Sequence, residues 1–253
     1  MKDEGILDTA KDLVTKAQFA QGWTRVLGEG NPYYYIALFF AQLRNLQSIR
    51  LDYVLARNYG YLGHTLKHAL LTAPADILSS FNKLAVVEYD GYLPANFHIA
   101  NPGGTNLYLR PEPWCQTSLA WFLLPSLQSL EARVEDRELR DLLTMVKGPN
   151  ARTHNLAHLR RLVIRGCRAK EKRIAELLSL TRSITSLHLG LDSWYSRDGQ
   201  ASMKPLTDGT TLLKSLFNLK GTLRDLSIGL NLLSTQVTDS NSLKVCLAPF
   251  YGF

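Results

Sequence analysis

The chain has 253 residues, of which 45% are hydrophobic and 20% charged, and its formal net charge is +7. This composition excludes intrinsically disordered and collagen-like proteins, since 17 glycines and 10 prolines are ordinary frequencies in a globular chain. The longest apolar run, residues 33–41, covers nine residues. A helix that spans a bilayer needs about 20, so we expect no membrane-spanning segment.

The N-terminal segment, residues 1–42, begins with lysines and acids where a secretory signal would have an apolar stretch. We therefore expect a cytoplasmic or nuclear protein. The three cysteines of the whole chain, Cys115, Cys167 and Cys246, are too few and too scattered for a disulfide framework or a zinc site, so we expect reduced thiols. We predict that residues 1–42 form a helical cap, because the end of a stacked array needs a cover.

Six segments that follow share one nine-residue frame, with apolar residues at the fourth, seventh and ninth positions. The alternation over the last positions predicts a short strand that buries one face. The segments are residues 43–51, 81–89, 124–132, 156–164, 181–189 and 220–228.

Apolar residues at helical spacing lie between most of these segments. They are Leu62, Leu66 and Leu70 before the second segment, Leu139, Leu142, Leu143 and Val146 before the fourth, Ile174, Leu177 and Leu178 before the fifth, and Leu212, Leu213 and Leu216 before the sixth. Strand and helix therefore alternate, and stacked copies would bury a continuous core. We predict an α/β solenoid of about six irregular strand-helix units, residues 43–253, continuous with the N-terminal cap.

The sixth segment and the residues after it read Leu223, Leu226, Ile228, Asn231 and Leu233. This resembles the leucine-rich repeat pattern LxxLxLxxN/CxL. The fourth segment has Cys167 at the N/C position and the fifth has Asp192, whereas the first three depart further, with Val54, Tyr92 and Glu135 there. The resemblance implies a leucine-rich-repeat-like solenoid with a curved parallel sheet and with helices on its convex side.

The spacing between segments varies from 25 to 43 residues, and the phrase LPSLQSL at residues 124–130 follows the helix-like phrase SLAWFLL at residues 118–124. Irregular repeats with such phrases resemble the repeat region of fungal F-box-like proteins. That resemblance implies a non-catalytic protein-recognition scaffold, the substrate-binding part of an F-box-type ubiquitin-ligase receptor. Residues 1–32 are too short for an F-box and lack its opening Leu-Pro phrase. We therefore expect either a fragment of a longer F-box protein or a shortened relative.

Residues that flank the buried strand positions should face outward on the concave side of such an array. Their charged members are four arginines and five acids. A mixed surface favours a protein ligand over the phosphate backbone of nucleic acid. Arg161 and Arg165 beside Arg133 could form a local site for an acidic group, and the alternative is that they are ordinary solvated strand residues. The predicted binding residues are Arg50, Asp52, Glu88, Asp90, Glu131, Arg133, Arg161, Arg165, His188 and Asp225.

Two long linkers, residues 90–118 and 190–211, hold aromatic side chains among polar residues. Aromatic residues in polar loops can anchor a partner. The alternative is that the rings fold back over the edge of the core. The predicted anchors are Tyr92, Trp114, Trp194 and Tyr195.

Residues 133–173, the basic block, contain twelve lysines or arginines and five acids, an excess equal to the whole net charge. One interpretation is a solvated helical face with interleaved ion pairs. The other is a docking site for nucleic acid or another acidic partner, which is our alternative to protein recognition through the concave face.

The sequence offers little catalytic chemistry, since it contains no phosphate-binding glycine motif. His64 and His68 have the helical spacing of a metal pair, but no glutamate follows the first and no third ligand is near. Cys167 occupies the buried N/C position, which favours a structural role over a nucleophile. We predict no catalytic residues, no metal and no cofactor. An enzyme with its site between the two linkers is an alternative that no constellation of residues supports.

Overall fold

The computed structural model describes residues 4–19, 22–30, 32–52, 61–74, 76–90, 120–132, 134, 136–147, 156–167, 169–193, 209–232 and 243–246. The chain divides into two compact units, Met1–Ser126 and Leu127–Phe253. Both units contain helices and parallel strands, so the protein is α/β, as the sequence predicts.

The first unit begins with three helices inside the predicted helical segment. They are α1 (Glu4–Lys16), α2 (Gly22–Gly28) and α3 (Pro32–Phe40). Strand β1 (Ser48–Asp52), helix α4 (Tyr61–Leu71) and strand β2 (Val86–Asp90) follow. The two strands pair in parallel, and α3 packs against α4.

An aromatic cluster fills the core of the first unit. The rings of Phe40 and Phe81 stack with their centroids 5.1 Å apart, and Trp121 meets Phe40 edge-on at 6.2 Å. Trp121 and Phe122 are fully buried. These rings come from residues far apart in the chain, so the cluster joins the end of α3 to the chain on either side of β2.

The second unit alternates strand and helix. In chain order these are β3 (Ser129–Ala132), α5 (Asp136–Lys147), β4 (Arg161–Cys167), α6 (Glu171–Leu180), β5 (Ser186–Ser193), α7 (Thr210–Asn218), β6 (Asp225–Leu232) and β7 (Leu243–Cys246). Strands β3 to β6 are parallel and pair in chain order, whereas β7 pairs antiparallel with β6. The predicted helices are confirmed. Strand β7 lies outside the nine-residue frame and was not predicted.

The nine-residue frame sets the register of the strands. Each of the six framed strands begins at the sixth position of its segment. In the first unit Ser48 lies opposite Val86. In the second unit the sixth positions of neighbouring segments pair in turn, and these residues are Ser129, Arg161, Ser186 and Asp225.

The same backbone hydrogen-bond pattern occurs at the start of the paired strands in both units. The carbonyl oxygen at the fifth position of one segment accepts the N–H groups of the fifth and sixth positions of the next. The accepting residues are Gln47, Gln128, Arg160 and Thr185, and the N···O distances are 2.8 to 3.3 Å. Because a buried backbone group needs a partner, this repeated bond fixes each strand against its predecessor.

The framed apolar residues form the core of the second unit. Leu159, Leu162 and Ile164 in the fourth segment have no solvent-exposed surface. The equivalent residues of the sixth segment, such as Leu226, are only partly buried. Burial of the frame is therefore greatest at β4 and β5 and decreases towards β6.

The linker predicted for residues 190–211 is wrong at both ends. Strand β5 continues to Ser193, and α7 begins at Thr210. Gly190, a turn signal in the sequence, pairs in register with Gly229 of β6, so ladder hydrogen bonds keep the strand extended through it. Across the described ranges, no helix combines the length and the hydropathy that crossing a bilayer requires.

Candidate functional site

The candidate site is the outer face of β3 to β6, the side opposite the buried leucines. Because side chains alternate along a strand, the sixth and eighth positions of each segment point to this face. The strand register aligns them into two rows. The sixth-position row is Ser129, Arg161, Ser186 and Asp225, and the eighth-position row is Glu131, Val163, His188 and Ser227.

The sixth-position row is polar and carries both charges. Arg161 is partly buried, and its Nη1 donates a hydrogen bond to the Ser129 hydroxyl at 3.2 Å. Asp225, at the other end of the row, is exposed. The row therefore presents a cation and an anion separated by a serine, the mixed pattern that the sequence predicts.

The Arg165–Glu131 ion pair changes the role expected of one predicted residue. Arg165 Nε donates to Glu131 Oε1 across the β3–β4 boundary. The Glu131 side chain is only 9% exposed, whereas that of Arg165 is 52% exposed. Glu131 was expected to face a ligand, but Arg165 covers it. The guanidinium is therefore the accessible half of the pair.

Apart from His188, the remainder of the outer face is small or apolar. Val163 is 5% exposed although it lies on the outer side, between Glu131 and the partly buried His188. Beyond the eighth position, Gly190 and Gly229 pair in register, and a Cβ added at Gly229 would meet no atom within 4 Å. A partner can therefore approach the backbone of β6 closely at this point.

In the first unit two predicted residues lie side by side on the strands. Arg50 on β1 is the register partner of Glu88 on β2, and Arg50 is exposed while Glu88 is partly buried. Asp52 and Asp90 are register partners at the ends of the same two strands. The remaining predicted binding residues, Arg133, Tyr92, Trp114, Trp194 and Tyr195, lie outside the described residues.

Within the basic block, carboxylates neutralise part of the charge. Besides the pair on the outer face, Arg173 Nε lies 3.0 Å from Asp136 Oδ1, and Arg140 Nε lies 3.5 Å from Asp141 Oδ1. This arrangement favours the interpretation of interleaved ion pairs. Other basic residues of the block are exposed, and these are Arg137, Arg160, Lys170 and Lys172.

Two acidic residues that open helices α5 and α6 contact the start of the following helix. Asp136 Oδ1 accepts the N–H of Lys170 at 2.8 Å. Glu171 is 3% exposed, and its carboxylate accepts the N–H groups of Leu212 at 2.9 Å and Gly209 at 3.2 Å. These N–H groups have no partner within their own helix, so each acid caps its successor. Sequence reasoning missed both, although an acid stands first in each helix.

The two histidines of α4 contact aromatic rings and a backbone carbonyl of the first unit. His68 Nε2 lies 2.7 Å from the carbonyl oxygen of Ala17, and its ring packs 4.2 Å from that of Phe19. The His64 ring lies 5.8 Å from Trp23, and its buried Nδ1 has no hydrogen-bond partner. Burial, followed by the charges of His68 and Lys67, lowers the pKa of His64.

The described residues contain no cluster of three His, Cys, Asp or Glu side chains placed to hold a metal ion. Cys167 is fully buried at the end of β4, at the position where the repeat frame places it. Comparison with protein-family models, with curated proteins and with solved structures finds no match to this chain.

Proposed function

We propose that the protein is a non-catalytic scaffold that recognises another protein through the outer face of β3 to β6. The observation that carries this proposal is the in-register alignment of the two outer rows, in which Arg161 and Asp225 present both charges around small side chains. The exposed Arg165, further along β4, adds a second cation. A protein surface of matching charge pattern fits such a face, whereas a phosphate backbone fits a predominantly positive one.

The same proposal includes a leucine-rich-repeat-like solenoid of irregular strand-helix units. The shared strand start and the repeated carbonyl at the fifth position support it, since a solenoid is built from equivalent units that contact their neighbours. On the resemblance to fungal F-box-like repeats, the partner would be the substrate of a ubiquitin-ligase receptor.

Docking of an acidic partner or nucleic acid on the basic block is the second candidate. The exposed side chains of Arg137, Arg160 and Lys172 favour it. The ion pairs of Arg140 and Arg173 reduce the free positive charge available to such a partner.

The test is affinity capture from a native cell extract at low and high salt, with and without nuclease, using a matched pair of variants. Ser227→Arg places a large cation on the outer face, and Ser179→Arg places the same side chain on the exposed surface of α6. We expect proteins that stay bound at high salt to be lost from Ser227→Arg and kept by Ser179→Arg. Retention by both variants, or capture that nuclease or salt abolishes, would contradict recognition through the outer face.

A further inference from the structure

Helix α7 has a large apolar surface that no described helix covers. Leu213 and Phe217 lie one turn apart on the same side of the helix and are 66% and 64% exposed. The opposite side of α7 is packed, since Leu212 is 3% exposed. We propose that the Leu213–Phe217 face docks an acidic amphipathic helix from a partner protein, at a surface separate from the outer face.

The packing of the second unit supports a helix as the occupant. Helix α5 packs against α6, and α6 packs against α7. Among the described residues, α6 is the one helix that packs substantially on α7. A partner helix on the Leu213–Phe217 face would therefore continue an existing succession of helix-on-helix contacts, with ridges of side chains at i and i+4 as the contact.

The charges around this face determine the chemistry of the occupant. Helix α7 contains no acidic residue. Lys214 is exposed beside Leu213, and Lys220 places its Nζ 4.4 Å from the centroid of the Phe217 ring. An apolar pair bordered by cations matches a helix that carries leucines along one stripe and carboxylates beside it.

A second exposed apolar pair provides the control surface. Ile36 and Phe39 on α3 are 44% and 64% exposed. Helix α3 contains no charged residue. It therefore lacks the cations that an acidic helix requires, and substitutions there should leave binding unchanged.

The test uses the full chain and a designed fluorescent peptide of about 20 residues, long enough to form a helix. The peptide carries leucines at helical spacing with glutamates beside them, and a matched peptide carries lysines in place of the glutamates. Fluorescence anisotropy measures binding. We expect the glutamate peptide to bind and the lysine peptide to bind at least about tenfold more weakly, because the cations repel it.

Variants locate the contact. Phe217→Ser should weaken binding of the glutamate peptide at least about tenfold, as loss of an aromatic anchor does. Lys214→Glu should also weaken it, and Phe39→Ser should not. Both α7 side chains are exposed, so the fold should persist, which thermal unfolding of each variant verifies.

Several outcomes would overturn the proposal. Equal binding of the two peptides, or binding that Phe217→Ser leaves unchanged, would exclude this face as an acidic-helix site. Self-association of the chain that Phe217→Ser abolishes would assign the face to a second copy. Binding to phosphatidylserine vesicles that Phe217→Ser abolishes, without peptide binding, would assign it to a lipid surface.

Discussion

Glu171 has a long-range structural role that its place at the start of α6 does not suggest. Its buried carboxylate accepts the N–H groups of Gly209 and Leu212, 38 and 41 residues further along the chain. Such N–H groups carry the positive end of the helix dipole, which a carboxylate stabilises. Glu171 thereby links two successive helices of the second unit.

Replacing Glu171 with alanine should destabilise the protein. We expect a loss of about 1–3 kcal/mol in the free energy of unfolding, because two N–H groups at the start of α7 lose their acceptor. Urea unfolding measures this loss. Lys172→Ala, an exposed change on the next residue, is the control and should stay within about 0.5 kcal/mol of wild type. Equal effects of the two substitutions would contradict the capping role.

His64 should make the stability of the protein depend on pH. Burial lowers the pKa of His64 below its usual value of 6.5, and the nearby charges of His68 and Lys67 lower it further. As the pH falls through 6.5, His64 becomes protonated in the unfolded chain but stays neutral in the folded protein. The free energy of unfolding therefore decreases on acidification. This loss continues until the pH reaches the lowered pKa of the folded state.

The prediction is checked by urea unfolding between pH 7 and 5 for the wild type and for His64→Phe. The phenyl ring retains the contact with Trp23 but does not titrate. We expect the free energy of unfolding to fall less steeply on acidification in the variant than in the wild type. Slopes that coincide in this interval would show that His64 does not titrate differently in the two states.

The strands illustrate how burial varies among residues at equivalent places in the frame. Leu162 and Leu226 both occupy the seventh position, but Leu162 is fully buried in β4 and Leu226 is partly buried in β6. Leu162→Ala should lower the free energy of unfolding by about 2–5 kcal/mol, since it leaves a cavity in a packed core. Leu226→Ala should lower the free energy of unfolding clearly less. Equal losses for the two variants in urea unfolding would contradict the decrease in burial from β4 to β6.

Most of the strand elements were predictable from the sequence for a physical reason. A short strand with one buried face has apolar residues at every second position, and all six framed segments contain the strand that this alternation predicts. Leucines at helical spacing predicted the helices of the repeats; Leu139 and Leu142, for example, are both fully buried. Strand β7 pairs antiparallel with β6 and follows no repeat, so the frame gave no signal for it.

The candidate site was less predictable because its contacts join distant residues. The frame predicts that Glu131 lies on the outer side of β3. It carried no information that Arg165, 34 residues later, would cover that carboxylate. The caps made by Asp136 and Glu171 also span more than 30 residues and depend on where the next helix begins. Local periodicity determines the face of a residue but not its partner.

At the scale of the whole molecule, the division into two units falls within a framed segment. Residues 124–126 belong to the first unit, whereas strand β3 belongs to the second. The frame runs through this point without interruption, so its periodicity predicts no boundary there. The predicted division at residues 42 and 43, between the helical cap and the repeats, stays a prediction.

The outer rows exist only if β5 and β6 keep the register in which Ser186 lies opposite Asp225. Neighbouring strands lie about 4.8 Å apart, a distance that a disulfide can bridge. The most direct measurement is therefore peptide mapping by mass spectrometry after mild oxidation of the double variant Ser186→Cys with Asp225→Cys. The shifted pair, Ser186→Cys with Leu226→Cys, points its thiols to opposite faces and is the control. We predict a cross-link in the first variant and none in the second, and a cross-link in the shifted pair alone would contradict the register and the recognition surface built on it.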